Sequence, residues 1–207
     1  MNPAIHHPTW YKHIGVLSEE EAGRALKGQF MVARHQAQFG IENIQVFCDF
    51  ERWQLHVEGK LSESVERAKN ITSKVFDISL KHTTVNSVGL NFLHHFPVDG
   101  VINLGERLAR LLTPAIGLPH FEGMGGTVAL FTQVPEGHFS VKVEPSVIDE
   151  SLLFVGFHLE CTLPPASPAG SLMEIRIDEL IDRTVPRLLP RMSSELLSIC
   201  AAVKGGD

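Results

Sequence analysis

The sequence predicts an α+β protein: an antiparallel sheet with helices packed on one face. Three observations carry that prediction. In "IQVFCDFERWQLHVE", residues 44–58, Ile44, Val46, Cys48 and Phe50 alternate with Gln45, Asp49 and Glu51, and Trp53, Leu55 and Val57 alternate with Gln54, His56 and Glu58. Period two with β-branched and aromatic residues marks a half-buried antiparallel hairpin. A similar pattern returns in "TVALFTQV", "HFSVKVEP" and "SLLFVGFHLECTL". Between and after these runs, serine-led acidic segments carry apolar residues at helical spacing.

In chain order, Ser18 and Glu21 have capping-box spacing and open a helix over about 19–27. Gly28 and Gly40 bracket one strand in "QFMVARHQAQF", and the hairpin follows. Ser62 is the N-cap of a helix whose Val65, Ala68, Ile71, Thr72, Val75 and Phe76 form one stripe. "NSVGLNFLHHFP", residues 86–97, is a strand. Asp99 caps a short helix with Leu104, Leu108, Leu111 and Leu112 facing in, stopped before Pro114. Residues 117–126 form a loop, and a turn at Pro135–Gly137 joins the next hairpin. After a third strand, Ser171 and Glu174 repeat the capping-box spacing and open a last helix, although "MEIRID" also fits a strand. Pro186 and Pro190 should split that helix into two pieces. Both parts read as three strands and a helix. The expected organisation is a single domain, 1–207, of two β-β-β-α halves, about 29–113 and 125–203, related by duplication.

The 207 residues are 43% hydrophobic and 20% charged, which suits a globular chain with a real core. A net charge of −6 with scattered Lys and Arg argues against nucleic-acid binding, since neutralising phosphates supplies most of that affinity. Cys48, Cys161 and Cys200 are sparse and lack CxxC spacing, against both a disulfide framework and a thiolate zinc site. The N-terminal residues do not have the shape of a secretory signal, and no apolar run is long enough to span a membrane. The expected location is a reducing cytoplasm, with no membrane contact.

The run "TTVNSVGLNFLHHF" after a helix, with a late acidic and apolar helix, resembles a family of uncharacterised bacterial proteins whose strand carries a Gly-Leu-Arg-Tyr-like signature. Gly89, Leu90, Asn91 and Phe92 stand at the corresponding positions. The resemblance implies a bacterial origin and no known activity, and it carries over no functional residue.

Strand parity organises the candidate chemistry. His94 shares a face with Val88, Leu90, Phe92 and Phe96, whereas His95 falls with Asn91, so the adjacent histidines cannot grip one metal together. If the strands share one sheet, His56, Glu58, Asn91, His95, His158 and Glu160 project from the face opposite the helices. His56 with Glu58, and His158 with Glu160, repeat H-x-E, an i, i+2 spacing that puts both side chains on one side. Nothing completes a ligand set or the P-C-x-x-C of a zinc deaminase, so no metal and no cofactor are expected. "EGMGGTV" leads into a strand pattern, unlike a phosphate loop. Cys48 and Cys161 fall on apolar faces, and "HHPTWYKH" near the N-terminus reads as a loosely held tail.

The expected function is binding, to a protein partner or to a second copy as a homodimer, through the open sheet face or an edge strand. Phe47 and Phe131 on the polar parity favour it. The alternative is a ligand-binding or metal-dependent enzyme using the same His and Glu residues, and no catalytic residue is assigned.

Overall fold

The computed structural model describes residues 1–98, 104–109, 126–149, 151–163 and 176–205. The fold is α+β, with helices and two four-stranded antiparallel sheets. The chain divides into two compact units, Met1–Thr84 with Ala166–Arg183, and Val85–Pro165 with Thr184–Asp207.

The first unit opens with a 3-10 turn, Pro3–Ile5, then α1 (Pro8–His13) and α2 (Glu19–Lys27). Its sheet has the order β1 (Phe30–Val32), β2 (Gln36–Ile41), β3 (Ile44–Asp49), β4 (Trp53–Val57). The stretch expected as one strand is thus two. A bend at Arg34 and His35 reverses the chain, closed by the Ala33 N–H donating to the Gln36 carbonyl at 2.8 Å. Ala37, Phe39, Ile41, Ile44, Val46 and Cys48 are buried on one face, as their period requires. Helical aromatics pack against that face: Tyr11 lies 5.1 Å from the Phe39 ring and Phe76 5.2 Å from the Trp53 ring.

The N-terminal segment is not a loose tail. His6 and Tyr11 are fully buried, because their rings fill the space over the sheet and their polar atoms meet each other, His6 Nδ1 to Tyr11 Oη at 2.9 Å. The capping box at α2 is formed: the Glu21 N–H donates to Ser18 Oγ at 3.1 Å, and the Ser18 N–H to Glu21 Oε2 at 2.6 Å. That backbone bond, with the Ser18 hydroxyl and nearby Arg67, holds the Glu21 carboxyl below its ordinary range. Replacing Ser18 by Ala should lower stability by about 1 kcal/mol, read as the urea midpoint. A midpoint unchanged within error would mean that the cap contributes nothing.

Ser62 is not a cap. α3 (Leu61–Thr72) starts two residues earlier, with Lys60 at its N-cap and no side-chain bond, and continues as a π-helical segment, Ser73–Ser79. The hairpin end decides this start. Asn43 Nδ2 and the Asn43 carbonyl close a pair of bonds on Glu58, and Gly59 at φ +135° then turns the chain directly into the helix.

The second unit holds β5 (Ser87–Pro97), α4 (104–109), β6 (Val128–Val134), β7 (Gly137–Pro145), β8 (Leu152–Thr162) and most of α5 (Ile177–Lys204). The strand order is β5-β8-β7-β6. The strand at 87–97, read from sequence with the N-terminal half, therefore pairs in the second sheet, with Asn91 opposite His158 and His94 opposite Val155. Phe139, Val141, Val143, Leu153, Val155, Phe157 and Leu159 form the buried face. α5 covers it with Val185, Leu188 and Met192, and its Arg191 guanidinium lies 4.8 Å from the Phe139 ring. On α4, Leu104 and Leu108 are buried, and Arg107 donates to the Val203 and Lys204 carbonyls at the end of α5.

α5 is one helix, not two, and runs through Pro186 and Pro190. Each proline removes the N–H that would reach four residues back, freeing the carbonyls of Asp182 and Pro186. Pro186, Pro190 and Asp182 are all exposed, so the prolines lie on the solvent side of the helix, where a missing helical bond costs least. The expected cap at Asp99, the inward Leu111 and Leu112, the stop at Pro114, the glycine-rich stretch through Gly125, and the Ser171–Glu174 start all lie outside the described residues. No helix among those described is long and apolar enough to cross a membrane.

Candidate functional site

The six residues singled out by parity fall in two sheets. His56 and Glu58 belong to the first, where His56 Nε2 lies 3.3 Å from Glu58 Oε1 at the exposed end of β4. Asn91, His95, His158 and Glu160 belong to the second. There Asn91 and His158 are directly opposite across β5 and β8, joined by a 2.7 Å hydrogen bond between Asn91 Oδ1 and His158 Nδ1. Glu160 sits in the next row, between Gly89 and His138. His95 is engaged elsewhere: its Nδ1 is 2.9 Å from the buried Ser146 hydroxyl, which also accepts from the backbone N–H groups of Ile148 and Asp149. His95 thus braces the β7–β8 turn. His94 points the other way, near Phe96, and burial together with the neighbouring His95 holds its imidazole below the ordinary value.

Among the described residues no three His, Cys, Asp or Glu side chains gather as a metal site would require. Cys48 and Cys161 are buried, and burial followed by the Asp49 charge pushes the Cys48 thiol up to about 11, far from thiolate reactivity. A cavity of about 330 Å³ opens in the first unit between the β2–β3 turn and α3. Four carboxylates line it, and three have a cation close by: Glu42 with Arg24 at 2.7 Å, Glu21 with Arg67 at 3.4 Å, Glu63 with Lys60 at 3.7 Å; the fourth, Glu58, lies 3.3 Å from His56 Nε2. Most of its wall charge is thus paired within the chain.

What remains is the face of the second sheet turned away from α5, and its β6 edge. Strand pairing lays out cross-strand rows on that face: Asn91, His158, Ser140, Phe131; and Leu93, Gly156, Lys142, Ala129. Leu93 is 51% exposed, and Lys142 is drawn to Glu144 at 2.8 Å while lying 6.0 Å from the Phe154 ring. The apolar character concentrates at β6, whose sequence VALFTQV carries no charge and no proline. Phe131 is 80% exposed on the open face, and Leu130 is 59% exposed on the other. Among the described residues no strand pairs with the outer side of β6.

The turn fixes which backbone groups are free there. Val134 and Gly137 close a two-residue turn, so they and every second pair exchange hydrogen bonds. The N–H and C=O groups of Ala129, Phe131 and Gln133 therefore point outward. Soluble proteins ordinarily blunt such an edge with charge, proline or a bulge, and β6 has neither charge nor proline. Sequence parity picked out Phe131 but not the edge, although seven uncharged residues without proline were the available signal.

Comparison with protein-family models, with curated proteins and with solved structures finds no match for this chain.

Proposed function

We propose that this chain is a non-enzymatic binding protein that engages a protein partner through the outer edge of β6 and the open face beside it. One observation carries the reading: an uncharged seven-residue edge strand with Phe131 80% exposed and Leu130 59% exposed. Such an edge offers a row of backbone donors and acceptors for an added strand, with side-chain contacts on both faces to select it. The mixed polar and apolar rows behind it fit an interface with an apolar centre and a polar rim.

Photo-crosslinking tests the reading. A crosslinking side chain placed at 131 in the full chain, within its own cells, should trap a polypeptide, and the same group at the exposed Gln54 of β4 should trap far less. Equal yields at 131 and 54, or none at 131, would contradict it.

A further inference from the structure

We infer that the strand β6 accepts is β6 of a second copy, paired antiparallel about a twofold axis at Phe131. The inference rests on the binding reading of the same edge and names its partner.

The strand is close to palindromic in the property that matters. Phe131 is its middle residue, and a twofold axis there sets Val128 against Val134, Ala129 against Gln133, Leu130 against Thr132, and Phe131 against itself. Val, Thr and Phe favour strands, and none of these pairs opposes like charges. The outward residues Ala129, Phe131 and Gln133 then face one another, exchanging about six backbone hydrogen bonds, two for each hydrogen-bonded pair. Charge does not oppose the approach: β6 is neutral, and on the adjacent strand Lys142 and Glu144 compensate each other at 2.8 Å. The other outer strand is a poorer match, because a twofold axis at its central Phe92 sets Leu90 against His94 and Gly89 against His95.

Area sets the strength. Each copy brings only two large exposed apolar side chains to the seam, which falls short of the roughly 1,000 Å² expected of a specific, stable interface. The pairing is therefore weak and rises with concentration, joining two four-stranded sheets into one of eight strands.

The twofold pairing also predicts a covalent trap. Directly opposed residues of a hydrogen-bonded antiparallel pair have Cα atoms about 5.5 Å apart, within the roughly 4.4–6.8 Å that a disulfide spans. In a Cys200→Ser background, Phe131→Cys should give an oxidised species of twice the 22.9 kDa chain at least tenfold faster than Val147→Cys, whose site is 97% exposed. Sedimentation of the purified wild-type chain should show the weight-average mass rising with concentration, and Phe131→Lys should remove the rise while keeping the circular dichroism spectrum. Equal disulfide rates at 131 and 147, or a wild-type chain that stays single at every concentration, would overturn the inference. Crosslinks from 131 to a different polypeptide, beside a single wild-type chain, would overturn the second copy and leave the binding reading standing. No crosslink from 131 would remove both.

Discussion

Gly137→Ala is expected to destabilise the second sheet by more than about 4 kcal/mol, the range that only a serious steric or burial fault reaches. An alanine Cβ at 137 would sit 2.0 Å from the Glu160 carbonyl oxygen and 2.9 Å from its carbon, and both are backbone atoms of β8 that cannot swing aside. Gly137 also holds φ +151°, a conformation that L side chains rarely adopt. The strain would fall on the turn that fixes which groups of β6 face outward. Thermal melting should show a fall of more than about 8 °C, at roughly 2–4 °C per kcal/mol for a chain of this length. Gly23→Ala is the matched control, since nothing lies within 4 Å of a Cβ there and it sits inside α2. That variant should gain roughly 0.5–1 kcal/mol from the higher helix propensity of Ala. A melting point for Gly137→Ala within about 2 °C of wild type would show that β7 and β8 are not this close.

The second large effect is a loss of stability in mild acid, carried by His6. Its ring is fully buried; Tyr11 Oη lies 2.9 Å from Nδ1, and Trp53 Nε1 donates to the same oxygen at 2.9 Å. Since Tyr11 accepts from Trp53, its own hydroxyl proton is free to go to His6 Nδ1, which fixes the neutral imidazole with its proton on Nε2. Nε2 has no partner, so a second proton would place an unsatisfied cation in the core. Burial first, and the N-terminal ammonium second, lower the His6 value from 6.5 to about 4. The sign follows from linkage: between these values the unfolded chain binds the proton and the folded chain does not. Stability is whole above pH 6.5 and declines as the pH falls toward 4, by about 3 kcal/mol in all at 1.36 kcal/mol per unit. Carboxylates held low in the fold, such as Glu21 and Asp49, lose their contribution at still lower pH, which separates the two effects. Urea unfolding from pH 7.5 to 4.5 should trace the loss, and an NMR titration of His6 should place its midpoint near 4. A His6 midpoint at an ordinary 6.5 would contradict the buried assignment.

Most of the strands were legible from side-chain period alone. Alternation in 44–58 and 137–161 placed Cys48, Val46, Val141 and Phe157 inside, because a strand with one buried face has no other way to arrange them. The same alternation correctly separated His94 from His95. Period says which face a residue takes, but not which strand lies beside it. For that reason β5 could be read as a strand yet joined to the wrong neighbours, and His56 with Glu58 could be grouped with residues of a second sheet. Local signals failed where tertiary packing outweighed them. The bend at Arg34 and His35 carries no glycine or proline, and the local pattern around Pro186 and Pro190 does not show that both lie on the exposed side of one helix. The N-terminal residues look like a loose tail in sequence because nothing local shows that Tyr11 and Trp53 gather at His6. The apolar β6 was legible as a strand, but its place at an edge is a property of the whole sheet.

The pairing of β6 with β6 of a second copy is tested most directly by residue-resolved amide hydrogen exchange at rising protein concentration. Ala129, Phe131 and Gln133 point their N–H groups outward, while Leu130 and Thr132 donate to β7. The account predicts that exchange at 129, 131 and 133 slows with concentration as a second strand covers them, while Leu130 and Thr132 stay protected throughout. Exchange at 129, 131 and 133 that stays fast and independent of concentration would contradict it.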